Sequence, residues 1–159
     1  MKHIISTLVQ NEAGVLAHIS GLFAGRGFNI DSLAVGETED PAVSRMTIVA
    51  EGDEQILEQI VKQLRKVVTV IKVQDFSGRD YVERDLMLVK INAPAARRAE
   101  IVQLAQLFRA RVVDVGANEL MVELSGPEGK IEAFLALVRP YGIKETCRTG
   151  RVAMLRGKK

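Results

Sequence analysis

Tryptophan is absent from the chain, and aromatic residues make up only 4% of its 159 positions. A sheet module that reads RNA needs exposed rings on which bases stack, and few are available here. A single cysteine, Cys147, excludes an internal disulfide and any cysteine-cluster metal site. A reducing compartment, the cytoplasm, is the simplest reading. Net charge is only +2, and the two signs are interspersed. That leaves no electrostatic footprint for nucleic acid beyond a short basic end, Arg151 to Lys159. No apolar run approaches the roughly 20 residues that span a bilayer. Met1 leads straight into strand-like sequence, without the apolar stretch of a signal peptide. A soluble protein with no membrane or nucleic-acid partner is expected.

Catalytic patterns are missing as well. The chain has no GxSxG, no P-loop and no GxGxxG, and Gly25-Arg26-Gly27 is too short to stand for one. His3 and His18 are the only histidines. One falls on a strand and the other on a helix, with no cysteine near either. Both read as structural or surface residues. Cys147 lies inside an expected strand and reads as a small packing residue rather than a nucleophile. No catalytic residue, metal ligand or cofactor site is assigned to this chain.

What the chain does have is a pattern written twice. Lys2 to Gln10 is rich in β-branched and apolar residues and predicts a strand. From Val15 the period changes: Val15, Leu16, Ile19, Leu22 and Phe23 recur at helical spacing until Gly25 and Gly27. Phe28 to Glu37 predicts a second strand, and Ser44 to Ala50 alternates as a third. Asp53 is placed to cap a helix carrying Ile56, Leu57, Ile60, Val61 and Leu64 on one stripe. Val67 to Val73 predicts a fourth strand. The order β-α-β-β-α-β, with two helices on one face of an antiparallel sheet, is the ferredoxin-like arrangement. Turn residues cluster at Phe76 to Asp80, and the order then repeats. The strands are Asp85 to Ala93, Arg111 to Val115, Leu120 to Leu124 and Ile143 to Arg148. The helices carry Ile101, Leu104, Ala105, Leu107 and Phe108, then Ile131, Phe134, Leu135 and Val138. The expected fold class is α+β, with two ferredoxin-like βαββαβ units. The division reads 1–76 for the first unit, 77–83 for a linker and 84–159 for the second. Units this small are marginal alone. Each leaves a sheet face and edge strands to be covered, so a homodimer is expected.

Function concentrates in the first turn, Asn11-Glu12-Ala13-Gly14-Val15-Leu16. The amides at a helix start have no backbone partners and attract a carboxylate or phosphate. Glu12 would repel a dianion, whereas a zwitterionic amino acid tolerates that setting. Asn11 has donors and an acceptor and can hold either end of a zwitterion. Gly14 lets a ligand approach the backbone without a Cβ in the way. From spacing alone, the alternative that Asn11 and Gly14 only make the turn and cap the first helix is slightly favoured over a binding role.

The residue strings Asn11-Glu12-Ala13-Gly14-Val15-Leu16, Arg26-Gly27-Phe28-Asn29-Ile30-Asp31-Ser32-Leu33 and Ser44-Arg45-Met46-Thr47 closely resemble the regulatory small subunit of acetolactate synthase, also called acetohydroxyacid synthase. The resemblance continues through Phe108-Arg109-Ala110 and Val112-Val113-Asp114-Val115 to Arg148-Thr149-Gly150-Arg151-Val152-Ala153. His18 stands where many members of that family have arginine. The resemblance implies that the first unit is an ACT domain. It implies a homodimer with valine bound at the interface of two ACT domains. Asn11, Ala13, Gly14, Val15 and Leu16 would come from one protomer, and Asn29 and Ile30 from the other. It further implies a large catalytic subunit as partner. Thiamine diphosphate, Mg²⁺ and FAD would belong to that subunit and not to this chain. The expected role is activation and feedback control in valine, leucine and isoleucine synthesis. A free-standing amino-acid sensor acting on another enzyme or on transcription is the competing expectation, although no helix-turn-helix with a basic recognition helix is apparent.

Overall fold

A computed structural model describes residues 1–158. Its element order is β1 (Lys2–Gln10), α1 (Val15–Gly25), β2 (Ile30–Glu37), β3 (Val43–Glu51), α2 (Glu54–Arg65), β4 (Val70–Asp75), β5 (Tyr81–Asn92), α3 (Ala95–Leu107), β6 (Arg111–Val115), β7 (Glu119–Gly126), α4 (Glu128–Val138), β8 (Ile143–Arg148) and β9 (Val152–Leu155). The chain forms two compact units, one of 1–82 with 151 onward and one of 83–150. Both are ferredoxin-like, as expected.

In the first unit the strands lie in the order β2-β3-β1-β4, and the ladders between them are antiparallel. Strand alternation turns Ile5 and Val9 of β1, and Met46, Ile48 and Ala50 of β3, toward the helices. They meet Val15, Ile19 and Phe23, which recur every four residues along α1, and Leu57, Ile60 and Leu64 of α2. Asp53 caps α2 by accepting from Ile56 N at 2.9 Å. Such a cap contributes about 1 kcal/mol. The C-terminal end of α1 closes with Phe28 N donating to Phe23 O (3.0 Å) and Gly27 at φ 70°. Only glycine enters that backbone region without a Cβ penalty. This closure is why β2 starts at Ile30 and not at Phe28.

The fourth strand also starts later than its valines suggest. Val67 N donates to Leu64 O and Val70 N to Val67 O, so residues 67–69 finish α2 in a turn and β4 follows at Val70. The expected linker 77–83 is instead a tight turn. Ser77 N is held by Asp75 Oδ1 and Arg79 N by Phe76 O, and β5 has begun by Tyr81. His3 is structural, as its strand position suggested. It is buried, its Nε2 donates to Gly52 O, and its Nδ1 shares a hydrogen bond with the Ser77 hydroxyl, both at 3.0 Å.

The sheet of the first unit has a second small core on the face away from its helices. Ile4 and Val49 point there and are covered by Phe76 and Ala153, with Tyr81 and Leu155 packed alongside. Ala153 belongs to β9, which pairs with β5. Arg151 N donates to Ser32 Oγ at 2.9 Å, and Arg156 N to Asp80 O at 3.0 Å. This corrects the boundary read from sequence. Residues from 151 onward complete the first unit and not the second, because Ile4, Val49 and Phe76 need an apolar cover. β9 itself was missed. Four residues flanked by Arg and Gly carry too little alternation to register as a strand.

In the second unit the order β6-β7-β5-β8 repeats the first. Met87, Val89 and Ile91 of β5 and Leu120, Val122 and Leu124 of β7 pack on Ile101 and Ala105 of α3 and on Ile131, Phe134 and Val138 of α4. Asp85, 2% exposed, receives both Nε and Nη2 of Arg148 on Oδ2, at 2.8 and 2.6 Å. Cys147 is exposed rather than packed.

Candidate functional site

The first turn is built by the end of β1. Asn11 N donates to Ala42 O (2.8 Å), continuing the β1–β3 ladder by one residue before the chain turns away. Gly14 then takes φ 86° and ψ −8° and serves as the N-cap of α1. No side chain caps this helix, and no acidic residue lies in its first turn. Val15 N reaches Glu12 O only at 3.5 Å, and the first full helical bond is His18 N to Gly14 O (2.9 Å). Among the described residues the amides of Ala13, Gly14, Leu16 and Ala17 have no hydrogen-bond acceptor. No atom lies within 4 Å of where a Cβ on Gly14 would be, so the space beside Gly14 is open. An open helix start of this kind receives a carboxylate.

The sequence-derived residues sort clearly. Ala13, Gly14, Asn11 and Asn29 are exposed, Ile30 is half-buried, and Leu16 leaves 46% of its surface open beside the free amides. Val15 differs: its side chain is buried in the core, so only its amide faces the turn. Asn11 does not cap α1. Its Nδ2 donates to Pro41 O (2.9 Å) and to Glu37 Oε1 (3.3 Å), tying the turn to the β2–β3 hairpin. Asn29 Nδ2 donates to Asp31 Oδ1 at 2.7 Å. Glu37, Pro41 and Asp31 were not identified as supports of the site, since nothing in sequence spacing joins positions brought together by strand pairing.

The register separates the two halves of the expected site. Ile30 pairs with Ala50, and Ala50 with His3, so Asn29 and Ile30 lie near the start of β1. Glu37 pairs with Ser44, and Ser44 with Val9, so Asn11 lies at the other end. From His3 to Asn11 the strand runs about 26 Å at about 3.3 Å per residue. One chain therefore does not bring Asn11 and Asn29 together. Among the described residues there is no cluster of His, Cys, Asp and Glu fit to hold a metal ion, and no helix is long and apolar enough to cross a membrane.

The first unit is thus a ferredoxin-like fold with an open helix start after its first strand, the arrangement of a small ligand-binding domain. Residues 5–72 match the family described as the AHAS small subunit-like ACT domain, and residues 84–157 match the small subunit of acetolactate synthase. A chain of Archaeoglobus fulgidus named a probable acetolactate synthase small subunit is 53% identical, over 100% of this chain and 99% of that one. The acetolactate synthase small subunit of Aquifex aeolicus is 48% identical, over 98% of this chain and 81% of that one. The crystal structure of the acetolactate synthase small subunit from Thermotoga maritima superposes with a TM-score of 0.91 at 40% identity, covering 100% of this chain and 99% of that one. The chain belongs to the acetolactate synthase small-subunit family.

Proposed function

We propose that this chain is a non-catalytic regulatory subunit of acetolactate synthase. It binds valine between two copies of its ACT domain, raises the activity of the large catalytic subunit and confers feedback inhibition on branched-chain amino acid synthesis. Thiamine diphosphate, Mg²⁺ and FAD are assigned to the large subunit.

The observation that supports this reading most is the separation of Asn11 from Asn29 along one sheet. β2 is an edge strand with an unpaired backbone side. If two β2 strands pair across a two-fold axis, they run antiparallel. The Asn29 end of one copy then comes to the Glu37 end of the other, which is where Asn11 sits. Such pairing makes one continuous sheet and assembles each site from both chains. The carboxylate of valine meets the free amides of Ala13, Gly14 and Leu16. Its side chain rests on Leu16 and on Ile30 of the second copy. Each hydrogen bond to a charged group contributes about 1.5–3 kcal/mol net. Burying the valine side chain adds about 1.5–3 kcal/mol. After the cost of association, the sum falls in the micromolar to millimolar range.

Regulation follows by linkage. Valine shifts the complex only if it binds one arrangement better than another, and the large subunit must change valine affinity by the same factor. A two-chain site gives that coupling a carrier in the packing of the two copies. The test is calorimetric titration with valine of the full chain, alone and reconstituted with the large subunit, beside Asn11→Ala. Saturable binding lost in the variant is expected. Absence of binding in both preparations, or equal binding by Asn11→Ala, would overturn the reading. A pull-down of the large subunit separates it from a free-standing sensor.

A further inference from the structure

Both asparagines of the proposed site are already oriented. Asn11 Nδ2 faces the carbonyl of Pro41 and the carboxylate of Glu37, and Asn29 Nδ2 faces the carboxylate of Asp31. Each of these partners can only accept when the carboxylates are ionised. Rotating either amide would set its own oxygen against them, so the orientation is forced. The consequence is one-sided. Asn11 Oδ1 and Asn29 Oδ1 receive no hydrogen bond among the described residues and are presented as bare acceptors. The start of α1, by contrast, offers donors, the free amides of Ala13, Gly14 and Leu16, and in the two-chain site proposed above they share one pocket with Asn11 and with Asn29 of the second copy. Donors on one side and acceptors on the other fix the direction of a zwitterion, with its carboxylate on the helix and its ammonium on the asparagines.

Asp31 has a further support. Its Oδ2 lies 3.9 Å from Lys2 Nζ, and its side chain is only 20% exposed. It sits at the β-bulge between Ile30 and Ser32, where the register with β3 shifts. Bulges of this kind re-aim side chains at the rim of a sheet. Ser32, next in sequence, is held by the amide of Arg151. The segment that aims Asn29 is thus fixed from two directions.

Resting on the function proposed above, we infer that the site selects an ammonium-bearing 2-amino acid over the 2-oxo and 2-hydroxy acids of the same carbon skeleton, and that Asp31 and Glu37 are the positioning residues that set this choice. A 2-oxo acid turns a carbonyl oxygen toward two acceptors that cannot rotate to meet it. All three oxygens are then left unpaired, and a site built to pair a donor rejects the analogue lacking it by at least about a hundredfold. The subunit therefore reads the product of amination and ignores the 2-oxo acid from which that product is made.

The experiment titrates the full chain, alone and with the large subunit, with valine, 3-methyl-2-oxobutanoate and 2-hydroxy-3-methylbutanoate. It is repeated on Asp31→Ala, Asp31→Asn and Glu37→Ala, with thermal midpoints as a check on folding. Wild type is expected to prefer valine by about a hundredfold or more. In Asp31→Ala the Asn29 amide is released to turn its donors inward. Valine should weaken about tenfold, and the preference over the 2-oxo acid should fall below tenfold, each a change of the size one charged hydrogen bond carries. Glu37→Ala, in which Asn11 keeps only Pro41 O, should narrow the preference less. Asp31→Asn keeps an acceptor oxygen in place and should restore most of it. A loss of stability alone would lower all three affinities together and leave the preference untouched. The inference is overturned if the 2-oxo acid binds wild type within threefold of valine. It is equally overturned if Asp31→Ala keeps the wild-type preference, or if Asp31→Asn recovers none of it; each of these leaves the valine-sensing function standing. If wild type binds no branched-chain amino acid in either preparation, the function and the inference fall together.

Discussion

Gly14 offers a way to weigh backbone strain against ligand access at one atom. Its φ of 86° lies where an L-residue costs about 1–2 kcal/mol. No neighbour stands within 4 Å of the added Cβ, so Gly14→Ala meets strain and no clash. For a chain of this size 1 kcal/mol moves the thermal midpoint by about 2–4 °C, so a drop of about 2–8 °C is expected. Asparagine enters the left-handed region more readily than alanine, so Gly14→Asn should fall between the two despite its larger side chain. Valine binding should follow a different order. Both substitutions place a side chain in the open space at the start of α1, where the proposed ligand sits, and both should lose at least about tenfold in affinity, or about 1.4 kcal/mol. Thermal and urea denaturation give the first order, and calorimetric titration gives the second. The reasoning is refuted if Gly14→Ala is as stable as wild type, or if stability runs glycine, alanine, asparagine. It is also refuted if either variant binds valine as wild type does.

Three other expectations concern the frame. Phe76→Ala removes the largest fully buried side chain covering Ile4 and Val49, and urea denaturation should show a loss of about 3–5 kcal/mol. A loss under about 1 kcal/mol would mean that face needs no cover. Arg148→Ala strips buried Asp85 of both its guanidinium bonds. With Arg148 itself 33% exposed, a cost of about 2–3 kcal/mol is expected, and the double variant with Asp85→Ala should be milder than Arg148→Ala alone. Tyr141 donates to Glu100 Oε2 at 2.9 Å, and that bond, with a smaller contribution from desolvation, raises its pKa above 10.0. A raised folded pKa gives stability that is present in full below the unfolded value and lost as pH rises through the folded one. The phenol should therefore titrate above pH 10 in ultraviolet absorbance, and Tyr141→Phe should flatten the alkaline fall in stability.

Periodicity made both units legible, because each helix stripe and strand alternation belongs to a dense core. Met46, Ile48 and Ala50 fall on one face by spacing alone, and so do Ile131, Phe134 and Val138. Where local composition competed with hydrogen bonding, the sequence misled. Val67 and Val68 look like strand, yet Val67 N is taken by Leu64 O and the chain turns. The site was half legible. The free helix start follows from the Gly14 turn, and the importance of Asn11 and Asn29 came from family resemblance. That Glu37 and Asp31 fix their amides was invisible, because strand pairing and a bulge place those carboxylates. The role of Asn11 as a brace to Pro41 could not be read from a capping pattern either, since it caps nothing.

The late position of β9 has a consequence for the order in which this protein can be made. The first unit ends its contiguous run at Val82, but its second core stays open until Ala153 is in place. At about 5–20 residues per second, translation takes roughly 4–15 s to cross that gap. During that time the second unit can fold while Ile4 and Val49 wait without their cover. A ribosome that stalls, or a protease that clips the chain after Gly150, leaves the earlier-made unit unfinished rather than the later one. The face of β1 and β3 that is made first is thus the one covered last.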